Sequence, residues 1–287
     1  MENQVNTQNY YRPEVPMLPT VFRVVRKIQE THDTWTLELQ NVNETPLPTF
    51  HPGQFNMLYA CGVGEIPISI SGNCKNQDTL VHTIRDVGMV SHALCELNTG
   101  DLVGVRGPFG TAWPMEKMNG KNVVVVGGGI GLAPLRPAIY HLLDHRNDFD
   151  RVAIAYGARG PEEILYPNQI MEWRSHLDLM VRVTVDAGDA SWHGQVGVVT
   201  TLIPRLNIDS KNAAALVCGP EIMIRFAVRE LIQFGLSPED IWISMERNMK
   251  CGIGFCGHCQ FGSKFICKDG PVLNFTEAER FFKVKEL

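Results

Sequence analysis

Four cysteines near the C-terminal end restrict this chain more than any other feature. They occur as Cys251-Gly-Ile-Gly-Phe-Cys256-Gly-His-Cys259, with Cys267 eight positions further on. Gaps of four and two residues, followed by a fourth thiolate, are the ligand spacing of a plant-type 2Fe–2S centre. A loop wrapped round such a centre needs unusual backbone angles and close approach of N–H groups to sulfur, and Gly252, Gly254 and Gly257 permit both. Four cysteines also suit a structural zinc ion. Here, however, seven residues separate Cys259 from Cys267, unlike the paired CxxC of a zinc ribbon. The expected metal ligands are therefore Cys251, Cys256, Cys259 and Cys267.

At 287 residues the chain has room for two or three domains with buried cores. A net charge of -5 gives no basic excess, so nucleic acid is not an expected partner. No apolar run is long enough for a bilayer; Val123 to Val126 runs straight into glycines. The first twenty residues have neither the apolar core of a signal peptide nor the arginine bias of a transit peptide, so a cytoplasmic protein is expected. Cys61, Cys74, Cys95 and Cys218 are scattered without motif spacing, which argues against a secreted disulfide framework.

Residues 1–16 are polar and carry two prolines, and read as an extended arm, either a free tail or a strap on a partner subunit. Over 17–115, short alternating segments separated by Gly, Pro and Asn predict an antiparallel β-barrel, with one helix over Val90–Leu97. The period changes over 116–240. Continuous apolar strands at Val123–Val126, Val152–Tyr156, Met180–Val185 and Ala214–Cys218 alternate with helices through Leu143, around Gln169–His176, over Val198–Ile203 and over Glu221–Phe234. That alternation predicts a parallel α/β sheet. Ile241–Glu246 reads as a last strand leading into a small C-terminal metal lobe, 241–287. The expected fold class is thus β + α/β: barrel, parallel-sheet domain, cluster lobe.

Several motifs carry chemistry. Gly127-x-Gly129-x-Gly131-x-x-Pro134 lies between a buried strand and a helix, where backbone N–H groups and the helix dipole favour a dinucleotide pyrophosphate. The second strand leads into Arg159 rather than an acid, which tilts the expected nucleotide towards NADP over NAD; the plainer reading is a solvated surface charge. Cys218-Gly219-Pro220 ends an apolar strand at the carboxyl edge of the sheet, which places Cys218 beside a nicotinamide ring or simply buries it. In the barrel, the segment containing Pro67, Ile68 and Ser69 offers hydroxyl and backbone groups to a planar ring. Arg85, with Gly88, Met89, Val90 and Ser91, offers a second pyrophosphate site, more than FMN requires, so FAD is the expected flavin. Each stretch also reads as plain strand and turn. His258, between two cluster cysteines, is expected in the surroundings of the cluster or at the surface.

In this order the chain resembles the ferredoxin–NADP reductase superfamily. The superfamily's flavin motif, Arg-x-Tyr-Ser, falls on Ile66-Pro67-Ile68-Ser69; its serine is kept and its arginine and tyrosine are isoleucines. That departure moves the expected pyrophosphate contacts to Arg85 and the Gly88–Ser91 turn. Pro67-Ile-Ser-Ile, Arg106-Gly-Pro-Phe-Gly110, Glu246 to Cys259 and Ile266-Cys-Lys-Asp-Gly-Pro-Val272 resemble the gamma, or diaphorase, subunits of cytosolic NAD(P)-linked nickel–iron hydrogenases. The electron-transfer subunit of dihydroorotate dehydrogenase and a subunit of anaerobic sulfite reductase share this architecture. The resemblance implies an oxidoreductase subunit passing electrons from NAD(P)H through FAD and a 2Fe–2S cluster to partner subunits holding further clusters and nickel. It implies Ser69 near the flavin N5 and Cys218 at the nicotinamide face. The alternative of another class is a non-catalytic nucleotide-binding subunit stapled by zinc.

Overall fold

The computed structural model describes residues 16–43 and 45–282, so all but the last residue of the expected arm, 1–16, lies outside the described residues. Alternating apolar residues build an antiparallel sheet first, from β1 (Thr20–Thr31), β2 (Thr34–Asn41), β3 (Phe55–Ala60), β4 (Gly64–Ser69), β5 (Leu80–Arg85) and, after helix α1 (Met89–Cys95), β6 (Leu102–Phe109). Their order is β4-β3-β6-β1-β2-β5, and a bridge between Ile70 and His82 joins the two ends into a barrel. Val24, Leu37, Leu39, Leu58, Ile84 and Val105 fill its interior. Burying each such side chain stabilises the fold by about 1.5–3 kcal/mol.

The second sheet contains β7 (Asn122–Gly128), β8 (Val152–Ala158), β9 (Leu179–Val185), β10 (Gln195–Val196), β11 (Ala213–Cys218) and β12 (Ile241–Ser244). Helices α2 (Leu132–Asp144), α3 (Pro167–Ser175) and α4 (Glu221–Phe234) connect strands of this sheet. The order β10-β9-β8-β7-β11-β12 reverses direction between β7 and β11. Ligands bind at such a switch point, outside the carboxyl ends of the strands. The valines of β7 are fully buried because layers cover both faces of the sheet.

Two elements differ from the sequence reading. The helix expected over Val198–Ile203 is a 3-10 segment, Val199–Arg205. Its run of β-branched residues disfavours an α-helix, and Pro204 denies a backbone donor. After β13 (Gln260–Phe261), β14 (Lys264–Phe265) and helix α5 (Ile266–Asp269), the chain returns as β15 (Val272–Asn274) and ends in helix α6 (Phe275–Phe282). β15 pairs antiparallel with β12, so the otherwise parallel sheet has an antiparallel edge. Three residues are too few to show a period, which is why this strand was not expected.

The three parts share one seam. Thr111 N–H donates to Gly270 O (2.6 Å) and its hydroxyl to Val272 O (2.7 Å), which straps the end of the barrel to the cluster lobe. The Tyr166 hydroxyl donates across to Thr83 of the barrel (2.6 Å) beneath the Arg136 guanidinium.

Candidate functional site

A cavity of about 650 Å³ opens along this seam. Strand β4 contributes Ile66, Pro67, Ile68 and Ser69 to its wall, and Arg85, Gly88, Met89, Val90 and Ser91 form a second side. The α/β sheet adds Pro134, Cys218 and Pro220; the last strand and the following loop add Ser244, Glu246, Arg247 and Met249. Eleven of the expected cofactor residues, 153 positions apart at the extremes, therefore face one space.

Each wall has a local cause. Arg85 is oriented by Asp33, whose Oδ2 accepts from Nε at 2.6 Å. Burial works to raise the Asp33 carboxyl, but hydrogen bonds from Arg85, Thr34 and Thr31 outweigh it and hold the group below its ordinary value. The Ser91 hydroxyl accepts from the Val87 and Gly88 N–H groups (3.0 and 2.9 Å), so it shapes the turn before α1. Behind Ser69, fully buried His82 contacts the Ser69 carbonyl through Nδ1 (3.0 Å) and Asn56 through Nε2 (3.1 Å). Burial pulls His82 down to about 4, so a neutral imidazole buttresses this strand.

Across the cavity, Gly127 and Cys218 are register partners at the ends of β7 and β11. A Cβ on Gly131 would lie 2.5 Å from Cys218 O, whereas one on Gly129, at φ +53°, would meet nothing within 4 Å. Gly131 thus lets α2 start against the Cys218-Gly219 turn, and Gly129 leaves open space above the helix N-terminus. Burial pushes the Cys218 thiol far above its ordinary range, which keeps it a neutral thiol. Arg159 is exposed beyond β8 and lies outside the cavity wall.

Sequence reasoning missed Glu246 and Arg247. Both follow the last parallel strand, where the carboxyl-end rule for open sheets would have pointed to them. Glu246 is the only carboxylate among the described residues lining the cavity, and partial desolvation of its carboxyl group against the cavity wall raises its pKa although the residue stays solvent-accessible. A raised folded-state value means that its stabilising contribution is full below the unfolded value and falls as pH rises through the folded one. Glu246→Gln is therefore expected to raise the melting temperature more at pH 8 than at pH 4. Melting curves at the two pH values check this; equal effects at both would reject a raised Glu246. Arg247 gives Nη1 to Glu246 O (3.0 Å) and to the Glu221 carboxylate (3.4 Å), while its buried Nη2 has no partner among the described residues.

The cysteine loop lies beyond Met249. Gly252, Gly254 and Gly257 have φ values of +76°, +74° and +79°, and the turns they make aim backbone donors at sulfur. Ile253 and Phe255 N–H donate to Cys251 Sγ (3.4 and 3.3 Å), Gly254 N–H to Cys267 Sγ (3.1 Å) and Cys267 N–H to Cys259 Sγ (3.5 Å). The sulfurs stand as two pairs, Cys256 within hydrogen-bond reach of Cys251 and Cys259 within reach of Cys267. No three His, Cys, Asp or Glu among the described residues converge as ligands of a single metal ion. For Cys251, burial works upward but the loop N–H groups outweigh it and lower the thiol; for Cys256 the His258 N–H leads in lowering it. Burial and the neighbouring Cys259 push Cys267 up to about 12. Paired sulfurs with aimed N–H donors fit a two-iron centre, in which each iron takes two thiolates.

Comparison with known proteins agrees with this geometry. Residues 125–229 match the oxidoreductase NAD-binding domain, and residues 246–279 match the iron–sulfur cluster binding domain of dihydroorotate dehydrogenase B. The chain is 36% identical over 246 residues to sulfhydrogenase 2 subunit gamma of Pyrococcus furiosus, covering 80% of this chain and 85% of that one. It is 37% identical over 225 residues to a probable dihydroorotate dehydrogenase B (NAD(+)) electron transfer subunit of the same organism, covering 78% and 80%. Among solved structures it is similar to a chain of an NADH-dependent reduced ferredoxin–NADP oxidoreductase, with a TM-score of 0.72, 25% identity and coverage of 92% and 94%. Phthalate dioxygenase reductase shares the fold, with a TM-score of 0.62, 21% identity and coverage of 77% and 66%.

Proposed function

We propose that this chain, which belongs to the family of sulfhydrogenase gamma subunits and dihydroorotate dehydrogenase B electron-transfer subunits, carries electrons between NAD(P)H and a partner redox subunit of a cytosolic nickel–iron hydrogenase. The observation that supports this most is the continuity of one cavity, from Ser69 and Cys218 to Met249, two residues before the first cluster cysteine. When bound, FAD takes up a hydride as an electron pair and releases electrons singly, which a 2Fe–2S cluster requires.

The chain's own residues supply position, charge and exclusion of water. Pro67, Ile68 and Ser69 offer one wall to the flavin ring, with the Ser69 hydroxyl at its N5 edge. Arg85 and the Gly88–Ser91 turn hold its pyrophosphate. The Gly127–Pro134 turn receives the pyrophosphate of the nicotinamide nucleotide, with Arg159 at its adenosine end favouring NADP. Cys218, Gly219 and Pro220 support the nicotinamide, with Glu246 on the same cavity wall. Cys251, Cys256, Cys259 and Cys267 hold the cluster, and exposed Cys256 and Phe255 mark the face open to the partner. No helix among the described residues is long and apolar enough to cross a membrane.

The match of 246–279 supports a second reading, electron-transfer subunit of a dihydroorotate dehydrogenase. Co-purified nickel favours the first reading, and a flavin-containing dehydrogenase partner the second. The primary test is a visible spectrum of anaerobically purified protein before and after NADPH or NADH, with iron and zinc assayed. Flavin and iron–sulfur bands bleached by nucleotide are expected; a colourless zinc protein would overturn the proposal. In the same assay Cys218→Ala should slow single-turnover reduction by NAD(P)H about tenfold, through a misplaced nicotinamide, while the flavin stays bound. Unchanged reduction would reject Cys218 as the nicotinamide support.

A further inference from the structure

Arg106 has no part in the cavity, yet it is among the most buried charges in the protein, at 3% exposure. It sits on β6 and makes a two-pronged ion pair with Glu65 of β4, Nε to Oε1 at 2.7 Å and Nη2 to Oε2 at 2.6 Å. Its remaining nitrogen, Nη1, donates to the carbonyl of Cys251 (3.0 Å) and to that of Pro16 (2.7 Å). The guanidinium also lies over the Phe109 ring, 5.5 Å from its centroid. A Cβ on Gly252 would meet that same ring at 3.0 Å, so the turn after Cys251 rests directly on the barrel.

A buried ion pair is weak support for a fold, since two apolar side chains would fill the same space at less desolvation cost. What apolar side chains cannot do is aim a donor and a charge. Glu65 lies two to four residues before Pro67, Ile68 and Ser69 on the same short strand, and Cys251 is the first cysteine of the cluster loop. We propose that Arg106, held by Glu65, is a positioning residue that fixes the cluster loop against the flavin-lining strand and sets the local charge that the cluster feels. This rests on the reading of the four cysteines as ligands of a 2Fe–2S cluster. The step it governs moves one electron from the reduced flavin, which is oxidised, to the cluster, which is reduced, with no bond made or broken.

The two charges act on the cluster in opposite directions. Reduction adds one negative charge to the cluster, so a nearby guanidinium favours the reduced form and a nearby carboxylate opposes it. Arg106→Gln should lower the midpoint potential of the cluster, and Glu65→Gln should raise it. The double variant, which buries no lone charge, should return close to the wild-type value. With the loop loosened, flavin-to-cluster transfer in Arg106→Gln should slow about tenfold. Reduction of the flavin by NAD(P)H should be unchanged.

The experiment is a redox titration of anaerobically purified full-length protein, followed by electron paramagnetic resonance, with iron and flavin assayed in every sample. Wild type is measured first: without flavin or iron there, the functional reading fails rather than this one. Opposite shifts in the single variants, with recovery in the double, support the proposal. Shifts of the same sign, or no shift in variants that hold full iron, overturn it. So does loss of iron from the double variant, because the pair would then serve folding alone.

Discussion

Cys259→Ala should yield a protein that keeps its flavin and loses its iron. Cys259 is buried at 1% exposure, its Sγ accepts the Cys267 N–H, and it pairs with Cys267 on the inner side of the loop. Removing it leaves Cys267 as the only thiolate of that pair. Losing a partner that only hydrogen-bonds to a metal ligand costs about 10–100-fold in metal affinity, so losing the ligand itself should exceed roughly 100-fold. Iron per chain should fall towards zero, and electron delivery to any one-electron acceptor that depends on the cluster should fall with it. Bleaching of the flavin bands by NAD(P)H should continue. Exposed Cys61 provides the control: Cys61→Ala should change neither iron content nor spectrum. Full iron and an unaltered spectrum in Cys259→Ala would remove Cys259 from the ligand set.

Gly131→Ala should be the most damaging single methyl group in the nucleotide-binding turn. Its backbone, unlike that of Gly129, is ordinary helical, with φ -62°. The constraint is collision: the added Cβ would lie 2.5 Å from Cys218 O and 2.7 Å from the Gly219 Cα, both backbone atoms that no rotamer change can move aside. Overpacking of this kind costs about 1–3 kcal/mol. At the upper half of that range, a chain of this size should melt roughly 5–10 °C lower. Because the displaced turn carries Cys218, KM for the nucleotide should rise as well. Gly129→Ala should lose less stability and more nucleotide affinity. Its methyl group enters open space, so the stability cost is the left-handed backbone alone, about 1–2 kcal/mol. The methyl group stands where a phosphate approaches, so KM should rise about tenfold or more, a difference of about 1.4 kcal/mol or more in binding. Thermal melts and nucleotide titrations of the two variants separate the cases. Equal losses of stability in both would show that the contact of α2 with the Cys218-Gly219 turn does not matter.

How much of this was legible beforehand depended on the range of the contacts involved. Helix α4 was expected over Glu221–Phe234, the span it occupies, because its apolar period is regular and Gly235 follows it at φ +114°. The valines of β7 and the glycines after them were read as a buried strand and its turn for the same reason: the whole signal lies within ten residues. The cysteine spacing likewise needs only seventeen residues, Cys251 to Cys267. What stayed hidden is carried by long-range pairing. Strand β15 has three residues and becomes a strand only because β12 offers an edge. Arg106 and Glu65 are 41 positions apart, and nothing in either local pattern distinguishes them from surface charges. Glu246 was quoted within a motif but given no role, since its place on the cavity wall depends on the barrel and the α/β sheet meeting beside it.

The antiparallel pairing of β15 with β12 has an implication for how such a subunit is assembled over evolutionary time. Trp242, Ile243 and Ser244 bond to Asn274, Leu273 and Val272, and the Met245 N–H is taken by Pro271 O. The segment between those two strands holds all four cysteines. The redox loop is thus spliced between the last two strands of the sheet rather than hung beyond them. A gene truncated after residue 245 would expose a bare strand edge, the kind of surface that recruits other chains. The cluster lobe is therefore not a cartridge that recombination can add or remove cleanly; it is a seam of the dinucleotide domain into which metal ligands have been written.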